Sequence, residues 1–101
     1  MLQTIIQDVQ QLIADIEAKN WLRVASDFAK LMADVVSAAG SIQINDPGTN
    51  DLKAALHDLH VSASAAGGSH PILAGLLQAI IQYLPTIIQI ITTSLPVTTG
   101  S

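Results

Sequence analysis

The sequence predicts an all-α protein, a small helical bundle of about four helices. Apolar residues recur every three or four positions along most of the chain, and capping or turn residues separate four such stretches. Only three of the 101 residues are aromatic, so the core must consist mainly of Leu, Ile, Val and Ala, which pack well between helices. This length suits one domain, and we expect residues 1–101 to form a single helical domain.

The first two helices are predicted over residues 2–19 and 21–39, as a helical hairpin. Each carries an apolar stripe on one side. Between them, Lys19 suits a helix C-terminus and Asn20 suits the N-cap of the next helix. A break at this point allows both stripes to face one core. Gly40 is the expected end of the second helix.

The third helix is predicted over residues 50–66. An Asp-Pro-Gly turn precedes it, and we expect Thr49 or Asn50 to cap it. The Gly67-Gly68 pair is its expected end. Two alternating isoleucines in the preceding loop predict a short extended segment packed against the bundle: Ile42 and Ile44.

The fourth helix is predicted over residues 71–95, followed by an extended tail over 96–101. Pro71 suits the first position of a helix because its fixed φ angle is already helical. Pro85 lies near the middle of the predicted helix, where a proline removes a backbone hydrogen bond. We therefore expect the last helix to be kinked or broken at this proline.

A nine-residue pattern recurs in the first three helices, over residues 8–16, 27–35 and 51–59. Each copy contains two aspartates seven positions apart, and a duplication and a chance similarity between amphipathic helices both explain it. Three leucines on the apolar stripes of these copies are expected to share one core: Leu12, Leu31 and Leu56. We interpret the six aspartates as solvated helix flanks. The alternatives, both in an oligomer, are carboxylate rings that bind a cation, or carboxyl groups that raise one another's pKa by like-charge repulsion.

The composition argues against several classes of function. Eight acidic residues and four scattered bases give a net charge of −4, which does not suit a nucleic-acid-binding surface. The chain has no cysteine, no Gly-rich phosphate loop and no serine in an elbow-like turn. We therefore predict no enzyme activity, no catalytic or metal-binding residue and no cofactor.

His57 and His60 are the strongest candidates for metal ligands. They lie three positions apart on the third predicted helix, close to Asp58 and not far from His70. Metal-binding helices more often use a four-residue gap with a carboxylate on the same face. Asp58 points about 100° away from His57 on a helix. We interpret both histidines as surface residues, and a small metal-dependent enzyme as a third functional hypothesis.

The functional hypothesis rests mainly on the C-terminal segment, because residues 59–101 contain no Asp, Glu, Lys or Arg. A helix with this composition has more apolar surface than three short helices can cover, which indicates a protein partner. We expect its isoleucines to be buried against protein, partly across a subunit boundary, beside a polar stripe. The predicted interaction surface consists of Ile80, Ile81, Ile87, Ile88, Gln78, Gln82 and Gln89.

The first hypothesis is a non-enzymatic structural or interaction protein that self-associates or docks into a larger assembly, of which a small phage or viral structural component is one form. The alternative is a membrane-active protein, pore-forming or holin-like, because the charge-free segment exceeds the roughly 20 apolar residues that cross a bilayer. The glutamines and the lack of basic flanks argue against it. Asp8 and Asp15 interrupt any N-terminal secretory signal, so we expect the protein in the cytoplasm or in a viral particle.

Overall fold

The computed structural model describes residues 2–43, 46–69 and 71–93, and it confirms the all-α helical bundle. The four α-helices are α1 (Leu2–Glu17), α2 (Trp21–Ser37), α3 (Gly48–Ser69) and α4 (Ala74–Ile91). Helix α1 contacts both α2 and α3, α3 also contacts α4, and α2 closes onto α4 less extensively. The predicted tail over 96–101 lies outside the described residues.

One cluster of buried apolar side chains joins the four helices. Leu12, Leu31 and Leu56 all lie in this cluster, as their positions on the apolar stripes predicted. The rings of Phe28 and Tyr83 meet edge to face with their centroids 5.7 Å apart, which links α2 to α4. Aliphatic side chains supply most of the remaining contacts, as expected from a sequence with three aromatic residues.

The turn between α1 and α2 closes the predicted hairpin. The amide of Lys19 donates to the carbonyl of Ile16 at 3.0 Å, and the amide of Asn20 donates to the carbonyl of Asp15 at 2.9 Å. This pair of bonds is a Schellman motif, which usually has glycine at the position of Lys19. Lys19 has a φ angle of 61°, in the left-handed region. Asn20 occupies the N-cap of α2, but its side chain makes no capping hydrogen bond.

Helix α3 extends beyond both predicted ends. Its cap is Asp46, whose Oδ1 accepts a hydrogen bond from the Gly48 amide at 2.9 Å, so the helix begins before Thr49. At the other end, α3 continues through the Gly67-Gly68 pair to Ser69. The predicted end was wrong because α4 packs along α3, and this tertiary contact outweighs the low helix propensity of glycine.

Helix α4 is shorter than predicted. A 3-10 turn over Pro71–Leu73 leads into it, whereas the helix runs through Pro85 without interruption. After Ile91 the chain becomes extended, and Thr92–Thr93 pairs in parallel with Ile42–Gln43. The extended segment expected around Ile42 is therefore present. It pairs with Thr92–Thr93, two residues that were predicted to belong to the last helix.

The left-handed Lys19 gives a test of the hairpin turn. Replacing it by glycine (Lys19→Gly) should raise the free energy of unfolding by about 1 kcal/mol, because glycine adopts this conformation without steric cost. Chemical denaturation monitored by circular dichroism measures the change. The converse control is Gly40→Ala, at a φ angle of 67° where an added Cβ meets no atom within 4 Å. It should lower stability by about 1 kcal/mol. A loss of stability in Lys19→Gly would contradict the Schellman assignment.

Candidate interaction surface

The predicted interaction residues of α4 fall into three groups. Ile80 and Ile87 are completely buried in the core, so this chain itself covers them rather than a partner. Ile81 and Ile88 are half-buried on the side of α4 that faces α3. The three glutamines are exposed: Gln78, Gln82 and Gln89. The part of the predicted surface that remains accessible is therefore a narrow strip of half-buried isoleucine and exposed glutamine.

A groove of about 440 Å³ runs between α3 and α4, and we call it the α3–α4 groove. One wall is formed by Lys53, His57 and His60 of α3, and the other by Ile81, Pro85 and Ile88 of α4. Leu56 and Leu84 complete its lining and are buried, so they form its floor. The groove thus has a basic wall, an apolar wall and an apolar floor.

A second apolar surface lies on α2, and it was not predicted from the sequence. Leu22 is 89% exposed and Val36 is 67% exposed. Between them lie three residues that are also exposed: Ala25, Ala29 and Met32. We call these five residues the outer stripe of α2. Their three-four spacing was visible in the sequence, but it ran beside the core stripe of the same helix, and two of its members are alanines.

Four of the six repeated aspartates lie between α1 and α2, in what we call the acidic seam: Asp8, Asp15, Asp27 and Asp34. Because the two helices are antiparallel, the seven-residue spacing brings the first aspartate of one helix beside the second of the other. Asp8 and Asp15 are only 8% and 5% exposed. The interpretation as solvated flanks is wrong for these two, whereas the aspartates of the third copy, Asp51 and Asp58, are exposed.

Two carboxyl groups of the acidic seam, one in each facing pair, have a raised pKa within the single chain: Asp8 and Asp27. Burial is the main cause of the raised pKa of Asp8, and its hydrogen bond with Asp34 adds to the effect. The hydrogen bond with Asp15 is the main cause that raises the pKa of Asp27 from 3.8 to about 6. Asp8, Asp15 and Asp27 each have a buried oxygen without a hydrogen-bond partner among the described residues. Protonation of Asp8 and of Asp27, the two groups with a raised pKa, adds a hydrogen-bond donor beside these oxygens.

Lys30 bridges one of these pairs. Its Nζ lies 2.8 Å from Oδ1 of Asp8 and 3.0 Å from Oδ2 of Asp34. The hydrogen bond with Asp8 is the largest cause of the raised pKa of Lys30, and the hydrogen bond with Asp34 is the second. Hydrogen bonds from Asp8 and then from Lys30 lower the pKa of Asp34. Within this pair, Asp34 therefore carries the negative charge and Asp8 is the carboxyl group that takes up a proton.

The histidines and the C-terminal helix were the other candidates for a function. His57 and His60 are exposed, and no group of three or more acidic or histidine side chains in the described residues could hold a metal ion. His70 lies outside those residues. The segment Pro71–Ile91 has the length and composition to cross a membrane, with a mean hydropathy of 1.6, and 22% of its 18-residue window is buried.

No protein-family model matches this chain, and comparisons with curated proteins and with solved structures give no match either.

The acidic seam predicts that acidification from pH 7.5 to pH 5 stabilises the fold. The raised pKa of Asp27 means that the folded state binds a proton between about pH 4 and 6 that the unfolded chain releases. Its contribution to stability is therefore lost as the pH rises through about 6. Asp27→Asn donates a hydrogen bond at every pH. It should raise the free energy of unfolding at pH 7.5 by about 1 kcal/mol, after allowing for partial solvent screening.

Thermal unfolding at both pH values measures this effect. The control is Asp58→Asn, the same chemical change at an exposed aspartate of the third copy, and it should leave the pH dependence as in the wild type. Equal pH dependence in wild type and Asp27→Asn would show that the seam does not bind the proton.

Proposed function

We propose that this chain is a non-enzymatic structural protein that self-associates, with a second copy docking on the outer stripe of α2. The observation that carries the proposal is the exposure of Leu22 and Val36, at 89% and 67%, on the side of α2 away from its buried residues Val24, Leu31 and Val35. Burying one such side chain stabilises a contact by about 1.5–3 kcal/mol. A small domain that exposes a continuous apolar stripe gains stability when a partner covers it.

The spacing of the stripe suits a second helix as the partner. Its members follow one another at intervals of three, four, three and four residues, which is the pattern of the contact positions in a coiled coil. Alanine occupies the two inner positions between Leu22 and Met32, where small side chains allow close approach of two helices. The large side chains at both ends then pack around this contact.

The charge distribution favours a second copy of the same chain. In a symmetric dimer the same patch is present on both subunits, so a charged residue near the axis faces its own like charge. The outer stripe contains no charged residue. The bases Arg23 and Lys30 instead line the hollow along the acidic seam, with Asp8 and Asp27. Two stripes can therefore meet without like-charge repulsion at their centre.

Association through one surface per chain gives a dimer, and the accessible strip of Ile81, Ile88 and the glutamines on α4 offers a second contact for a larger assembly. A repeated subunit of a viral particle is one form that such an assembly takes.

Membrane insertion is the second candidate function, and the low burial of Pro71–Ile91 favours it. In that case α4 and the 3-10 turn, rather than α2, make the contact.

Two matched variants distinguish these functions. Leu22→Glu places a charge on the outer stripe, whereas Ile72→Glu places the same charge at a 98% exposed residue in the charge-free segment. We expect the wild type to be a dimer or larger by light scattering without detergent. Leu22→Glu should weaken association by at least about tenfold, and Ile72→Glu should not.

Circular dichroism should show the same helical content in both variants, because both substituted side chains are exposed. A monomeric wild type at about 100 μM would contradict self-association. Recovery of the wild type in the membrane fraction, released by Ile72→Glu but not by Leu22→Glu, would instead support the membrane function.

A further inference from the structure

We propose that the α3–α4 groove is a binding site for a single-chain anionic amphiphile, a free fatty acid, whose carboxylate contacts the basic wall and whose acyl chain lies along the apolar wall. The site uses residues of α3 and α4 that are separate from the outer stripe of α2. The proposal is therefore independent of self-association through α2.

The two walls of the groove have opposite chemistry. Lys53, His57 and His60 stand four and three residues apart, so they follow one side of α3 over about 10 Å at 1.5 Å per residue. Ile81, Pro85 and Ile88 repeat the same spacing on α4. Among the described residues, no acidic side chain lines the groove. An anionic headgroup attached to an apolar chain matches these two walls, whereas a neutral or cationic ligand leaves the basic wall without a counter-charge.

The basic wall is a local exception in an acidic chain with a net charge of −4. The acids of α3, Asp51 and Asp58, line a different hollow, on the side that faces α1. Lys30 makes two salt bridges in the acidic seam, whereas Lys53 makes none with the described residues. The ammonium group of Lys53 is thus available to a ligand carboxylate, at a place where the protein's own carboxylates do not compete.

A second hollow lies beside the groove, toward the C-terminal end of α3, and its lining includes Ser64 and Gln78. This hollow of about 280 Å³ shares Ile81 with the groove, and no charged residue lines it. Small residues of α3 and α4 form much of it, including Ala63, Gly67 and Ala74. A Cβ atom at Gly67 would already lie 3.9 Å from Cδ1 of Leu77, so a large side chain there would narrow the hollow. Within the groove itself the acyl chain has the apolar wall up to Ile81, in a volume typical of small-molecule sites.

Isothermal titration calorimetry of the full chain with monomeric laurate tests the proposal. We expect saturable binding of one laurate per chain, and weaker binding of dodecanol, which has the same chain without the charge. Lys53→Gln should weaken laurate binding about three- to fivefold, as expected for one partly exposed ion pair. The matched control is Lys19→Gln, which removes the same charge at an exposed lysine outside the groove and should leave the affinity unchanged.

The variant Ile81→Gln tests the position of the chain: Ile81 lies about 10 Å along α4 from Ile88 at 1.5 Å per residue, so the change should weaken laurate binding more than octanoate binding. If this variant does not fold, the comparison of Lys53→Gln with Lys19→Gln still decides the proposal. Three results would overturn it: no saturable binding up to about 1 mM laurate, equal losses in the two lysine variants, or binding to anionic lipid vesicles without binding to free laurate. The last result would identify a membrane-surface contact. It would not bear on self-association through α2, which light scattering tests separately.

Discussion

The packing of α1 against two neighbours is the constraint on which the rest of the structure depends. Its apolar side, with Ile5, Val9 and Leu12, faces the common core, and its edge toward α2 carries Asp8 and Asp15. The hairpin therefore cannot close over the core without also burying these carboxyl groups. Burial of a carboxylate is unfavourable unless it is paired or protonated. Lys30 and the facing aspartates of α2 meet this requirement, and the seam consequently links the fold to pH.

Apolar periodicity was sufficient to predict the four helices and the leucines of the core, because burial of its aliphatic stripe contributes most of the stability of each helix. The errors occur where a tertiary contact outweighs a local preference. Gly67 and Gly68 remain helical because α4 covers α3, and Thr92–Thr93 leaves the helix to pair with Ile42–Gln43. The burial of Asp8 and Asp15 was not predictable from either helix alone, since it depends on the register of the antiparallel hairpin.

The candidate surfaces were only partly predictable for a related reason. The lack of charged residues in the last helix predicted that α4 has apolar surface to cover. Which isoleucines lie in the core depends on the orientation of the helix: Ile80 and Ile87 are in the core, whereas Ile81 and Ile88 line the groove. The basic wall of the α3–α4 groove could not be recognised before α3 and α4 were placed side by side. The outer stripe of α2 was recognisable in the sequence, and only the structure shows that none of the other described helices covers it.

The short parallel pair between Ile42–Gln43 and Thr92–Thr93 has a mechanical consequence. It ties the end of α4 to the connection between α2 and α3, and the amide of Gly40 adds a bond to the carbonyl of Ile90 at 2.9 Å. A force applied at the C-terminal end must therefore break these bonds together before α4 can unwind. Pulling on the chain beyond Thr93 therefore loads the connection between α2 and α3 together with α4, so these elements resist the force as one unit.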